Sequence, residues 1–196
     1  MLNTTANRFS KKEDFVKYGN AIIGGYKTII AVFQIIAESA KKMEGKVFNK
    51  RFQTEIENRL KECKIGANIG ISDPYNMGYK TLKIYLFNRD TQINGSTIYF
   101  DKEIYHTSIH NCEKAFVNEE GRIVAEGAEN ECNEQIKLCN EQIGKWEDAI
   151  ENYDRYKEQV ENAVKQLGEA LKGLNGFFRP SQIDSYDWEK AIGLHW

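Results

Sequence analysis

Five side chains able to hold a metal fall close together in the middle of the chain: Asp101, Glu103, His106, His110 and Cys112. His106 and His110 share a face whether the segment is helical, by the four-residue spacing, or extended, by even-numbered alternation. Two imidazoles and a thiolate are zinc-type donors, but zinc sites ordinarily recruit a third and fourth ligand at recognisable spacing. The chain contains neither an H-E-x-x-H motif nor a C-x-x-C pair. Histidines solvated at the edge of a core are the simpler reading, so no cofactor is expected. A metal-dependent enzyme centred on His106 and His110, with Cys112 alongside, remains an alternative.

Other catalytic chemistry finds less support. There is no G-x-S-x-G elbow to activate a serine, and the proximity of Cys112 to His110 in sequence does not place them together in space. The 29 Asp and Glu residues mostly decorate helix faces, so no acid–base pair stands out. The G-A-N-I-G run at 66–70 and the Gly24-Gly25 pair lack the lysine and the spacing of phosphate-cradling loops. A non-enzymatic role is therefore expected.

Cations form a second cluster. Lys41, Lys42, Lys46, Lys50 and Arg51 gather where two helices should meet, interleaved with Phe48 and Phe52. Such an elbow could neutralise phosphates, making nucleic acid one possible partner. The competing explanation is internal, because cations also suit a helix C-terminus and could pair with acids elsewhere in the chain. The charge distribution favours that explanation: residues 1–64 carry 13 Lys/Arg against 7 Asp/Glu, whereas residues 117–176 carry 7 against 14. Aromatic residues form a third group. Trp146, Tyr153, Phe177, Phe178, Trp188 and Trp196 are candidate anchors for a protein partner.

These groups need elements to position them, and hydrophobic periodicity supplies the elements. Ser10 and Glu13 have capping-box spacing, so a first helix should start there. Phe15, Ile22, Ile29, Ile36 and Met43 recur every seven residues, flanked by Val16, Ile23, Ile30 and Ala37, and Gly45 is a natural stop. Its stretch at 19–37 is apolar enough to suggest a bilayer span, but Lys27, Gln34 and the Gly24-Gly25 pair favour a core helix, and no membrane association is expected. A second helix over 49–63 follows from Phe52, Ile56, Leu60 and Cys63.

From Ile65 the pattern alternates like strand. The clearest run is Tyr79 to Phe87, expected to form a hairpin with Ser96 to Phe100 across the Asn94-Gly95 turn, and shorter strands are expected at 104–109 and 122–125. From Cys132 to Leu174 apolar residues follow a four-three alternation in one heptad register, broken only where Lys157 takes an apolar slot. One helix over 128–175 is the expectation, with Trp146 and Tyr153 too bulky for a regular two-stranded coiled coil and better suited to an antiparallel partner in the same chain. At 1.5 Å per residue the first helix would be about 50 Å long and the last about 68 Å, leaving an overhang for the aromatic tail or another chain.

The expected fold is α+β: a long antiparallel, coiled-coil-like hairpin of N- and C-terminal helices with a small antiparallel sheet inserted between them. As a single domain over 1–196 it divides into N-terminal helices (1–64), the sheet (65–126), the heptad helix (128–175) and an aromatic tail (176–196). The four cysteines show no paired spacing, and the first twelve residues have no apolar run of the export type, which points to a reducing cytoplasm. The functional expectation is a protein-interaction module with a protein partner. The 21 isoleucines and 17 asparagines suggest an A/T-rich genome and a phage or mobile-element inhibitor of a larger host complex. The heptad seam would also allow a homodimer.

Overall fold

A computed structural model describes residues 11–72, 81–86, 91–93, 96–98, 106–109, 115–172 and 192–194. Among them are four helices, α1 (Lys12–Lys42), α2 (Lys50–Glu62), α3 (Ala125–Glu151) and α4 (Tyr153–Lys172), and five strand segments, β1 (Ala67–Ser72), β2 (Thr81–Leu86), β3 (Thr91–Ile93), β4 (Ser96–Ile98) and β5 (His106–Ile109). The predominantly helical character expected of the two ends is observed. The chain divides into two compact units, the first made of residues 1–23, 91–98 and 142–196 and the second of residues 24–90 and 99–141.

In the first unit the seven-residue rows do their work through rings. Phe15 at the start of α1 is fully buried, 5.9 Å from the Trp146 ring and 5.5 Å from that of Tyr153, and Tyr18 meets Trp146 edge-on at 5.7 Å. Offset and edge contacts of this kind suit the ring quadrupole. Gly19 lets the helices approach closely: a Cβ there would lie 2.9 Å from Ile150 Cδ1 and 3.2 Å from Trp146 Cε3. Val160 continues the seam and is buried, as is Leu194 near the end of the chain.

The expected single helix over 128–175 is instead two. α3 begins earlier, at Ala125, and gives way at Asn152 to α4. The backbone keeps helical bonds across the junction, Asn152 N–H to Asp148 O at 2.8 Å and Tyr156 N–H to Asn152 O at 3.2 Å, and side chains there converge on one carboxylate. The Asn152 amide donates to Asp148 Oδ1 at 2.7 Å, and Arg155 Nη2 and Tyr156 Oη donate to Asp148 Oδ2 at 2.6 and 2.8 Å.

In the second unit Ile29, Val32, Phe33, Ile36 and Ala40 of α1 are buried, and so are Phe52, Ile56 and Leu60 of α2. Cys63, assigned to the same α2 stripe by its spacing, is instead the exposed C-cap. α2 ends in a Schellman motif, with Ile65 N–H bonding Leu60 O at 2.9 Å and Lys64 N–H bonding Lys61 O at 3.0 Å, and Lys64 takes the left-handed position at φ 55°. α1 stops near Gly45, whose φ of 72° suits a residue without a Cβ. Ser10, the expected capping residue of α1, lies outside the described residues.

The expected strand pairing is corrected. β2 does not pair with the Ser96 segment; it lies between β1 and β5, antiparallel to both, with Ile69 opposite Ile84 and Thr107 opposite Ile84 on the other side. β3 and β4 pair with each other, Gln92 opposite Thr97, and belong to the other unit. A single inserted sheet over 65–126 is therefore not found. The β1 edge is closed in part by α2, whose Gln53 Oε1 accepts from Ile71 N–H at 3.4 Å. The strand expected at 122–125 is reduced to isolated bridges of Arg122 with Val47 and Ile123 with Val117, because α3 starts at Ala125.

Candidate functional site

The α1–α2 connection is the most distinctive exposed surface among the described residues, and its backbone is tied down first. Gly45 N–H bonds Ile123 O at 2.9 Å, Ile123 N–H bonds Lys46 O at 2.8 Å, and Phe48 N–H bonds Gly121 O at 3.1 Å. Glu44 accepts from Ala125 N–H, capping α3 with a carboxylate where the helix dipole favours one. Phe48 turns inward, fully buried against Phe52 (5.3 Å) and Phe116 (6.1 Å). Val47, next to it, faces outward and is 52% exposed.

The five elbow cations separate into two groups. Lys41 Nζ donates to Glu129 at 2.7 Å and Lys42 Nζ to Glu55 at 2.8 Å, so these two serve intramolecular pairing. Lys46, Lys50 and Arg51 are exposed and have no side-chain ion pair among the described residues. Arg122 lies on the adjoining turn but is engaged, with Nε on Glu120 at 3.0 Å and Nη1 on Gly45 O at 3.1 Å. Lys50 and Arg51 line a shallow open groove with Thr54, Glu55 and Asn58. Asn49 caps α2, its Oδ1 accepting from Arg51 N–H at 2.9 Å.

The aromatic candidates are placed differently from their expected role. Trp146 and Tyr153 are 1% and 4% exposed and pack against Phe15, so their surface is used inside the chain. Phe177, Phe178, Trp188 and Trp196 lie outside the described residues. So do His110 and Cys112, while His106 is described only through its backbone, paired with Tyr85 across β5 and β2. Among the described residues no group of three or more His, Cys, Asp or Glu side chains is arranged to hold a metal.

The thiols of α3 are chemically quiet. Burial pushes Cys132 up to about 12, helped by the neighbouring Glu131 and Glu129 charges, and burial pushes Cys139 up to about 11. A thiol so far above neutral pH is protonated and a poor nucleophile. At the helix break, the Tyr156 hydroxyl donating to Asp148, aided by Arg155 and Asn152, holds that carboxyl below its ordinary value.

Sequence reasoning found the elbow by charge but missed Val47, because a single valine between Lys46 and Phe48 carries no periodic signal. The tie between 44–48 and 121–125 was equally invisible. α1 is long and apolar enough to cross a membrane by length and composition, and half of its most apolar stretch is buried inside the structure, which is consistent with either a core helix or a membrane span. No protein-family model matches the chain, and comparison with curated proteins and with solved structures yields no match.

Proposed function

We propose that this chain is a non-enzymatic protein-interaction module that occupies a surface of a larger protein or nucleoprotein complex through the elbow at 46–51. The observation that carries this reading is Val47: a half-exposed aliphatic side chain on a backbone fixed by hydrogen bonds to residues 121–123, with exposed cations on both sides in sequence. Preorganised apolar anchors with a charged surround are what protein interfaces use, because little conformational entropy remains to be lost on docking. A cytoplasmic setting and a phage or mobile-element inhibitor role accompany the reading on composition.

Affinity capture of tagged protein from bacterial lysate with nuclease present, comparing wild type with Val47→Asp, tests it. A partner retained by wild type and lost by the folded variant is the expected result; retention of the same partner by both, or no partner for wild type, overturns it. A second reading, nucleic-acid association, draws on the groove where Lys50, Arg51 and Asn58 offer donors typical of phosphate contacts.

A further inference from the structure

We infer that the partner segment received by this elbow is an acidic stretch of protein carrying an aliphatic side chain, the aliphatic group seated on Val47 and its carboxylates on Lys46, Lys50 and Arg51. This rests on the interaction-module reading and gives it a partner chemistry.

The first argument is a local charge rule broken at the start of α2. α1, α3 and α4 each carry acid in their first turn, Glu13 and Asp14, Glu126, and Asp154, as the positive end of a helix dipole favours. α2 has none and begins with Lys50 and Arg51. A cation there is disfavoured by the positive end of the helix dipole unless an anion accompanies it. Among the described residues no such anion is supplied: the nearby Glu55 is engaged by Lys42, and Glu120 by Arg122. An external carboxylate would relieve the repulsion and gain both cations and the helix end.

The second argument separates a protein from a nucleic acid. With Lys41, Lys42 and Arg122 already paired, three elbow cations are left for phosphates. Three phosphate contacts give a slope of about −2.7 in log affinity against log salt, well short of the six to ten contacts that carry non-specific duplex binding. A carboxylate segment needs only a few cations, and the exposed valine contributes to its affinity while offering nothing to a phosphate backbone.

Fluorescence anisotropy on the full-length protein tests the inference with three labelled probes: a peptide with leucines set among glutamates, the same peptide with glutamines for glutamates, and a DNA duplex. The acidic peptide should bind at least about tenfold more tightly than either other probe, with that preference lost in Lys50→Glu/Arg51→Glu and weakened several-fold in Val47→Ser. Circular dichroism melts confirm that the variants are folded. No preference for the acidic peptide, preference for the duplex, or peptide binding unaffected by charge reversal each overturns it. If wild type captures a protein from lysate and Lys50→Glu/Arg51→Glu captures it equally well, the interaction-module reading stands and the acidic-partner inference fails.

Discussion

The two units hold their helices by different means. In the first, Phe15 and Gly19 of α1 sit against Trp146, Ile150 and Tyr153, and the fit is one of rings and a missing Cβ. In the second, a small phenylalanine cluster is supplemented by a run of backbone hydrogen bonds between 45–48 and 121–123, by the Glu44 cap and by charge pairs at Lys41–Glu129 and Arg59–Glu38. A seam of side chains is sensitive to volume, whereas a clasp of backbone groups is sensitive to geometry. The exposed elbow belongs to the clasped unit, where a surface residue can be varied without disturbing a packed row.

The largest effect should come from the seam. Trp146→Ala removes a ring buried among Phe15, Tyr18 and Gly19 and should lower unfolding free energy by about 3–5 kcal/mol, read from urea denaturation followed by circular dichroism. A loss under about 1 kcal/mol would mean that the first unit does not depend on its rings. Gly127→Ala probes the clasped unit in the same way. Its Cβ would lie 2.0 Å from Ala115 O, a backbone atom that cannot rotate aside, so a loss of about 1–3 kcal/mol is expected despite alanine's better helix propensity.

Lys64→Gly should act in the opposite direction. Its left-handed φ of 55° strains a residue with a Cβ, and glycine there should raise stability by about 1 kcal/mol by the same denaturation assay. The Lys41–Glu129 pair should matter less, with a coupling of about 0–1 kcal/mol in a double-mutant cycle that shrinks with added salt, because both side chains are substantially exposed. A coupling above about 2 kcal/mol would show that charge pairing, not the backbone clasp, dominates the second unit.

The smallest effect should be at the helix break. Tyr156→Phe removes the main hydrogen bond holding Asp148 below the ordinary carboxylate range, so its titration followed by NMR should move upward. Because the folded value is depressed, the interaction stabilises the fold above the unfolded carboxylate value near pH 4 and is lost as pH falls through the folded value. Wild type should therefore lose this contribution only on acidification, and the variant should show a weaker acid dependence.

What could be read from the sequence follows the same division. The apolar rows were legible because they are periodic: Phe15, Ile22, Ile29 and Ile36 of α1, and Cys132, Cys139, Trp146, Tyr153 and Val160 of α3 and α4, are all buried, as their seven-residue recurrence implies. Periodicity also misled, since it continues unbroken through Asn152 and does not register that Asn152, Arg155 and Tyr156 converge on one carboxylate. The same rule placed Cys63 in a buried stripe that ends at Leu60.

Pairings that depend on distant residues left no local mark. Nothing in the Tyr79–Phe87 run specifies β1 and β5 as neighbours, and the nearer Ser96 segment was the natural but incorrect choice for β2. At the candidate site, the cations were visible as a cluster. Which of them are engaged was not, because Glu129 is 88 residues from Lys41 and Arg122 is 77 residues from Gly45. Trp146 and Tyr153 were taken for anchors by residue type, yet their heptad positions already matched a buried row.

The clasp has a consequence for how such a chain can change. Lys46 and Ile123 meet through a 2.8 Å hydrogen bond, so everything between them leaves from and returns to one point. Closing a flexible loop becomes only about 0.6 kcal/mol more expensive for each doubling of its length. The ends of the intervening stretch are in that sense kept together whatever the length of its connections, while Phe48, α2 and Phe116 within it remain part of the second unit's core.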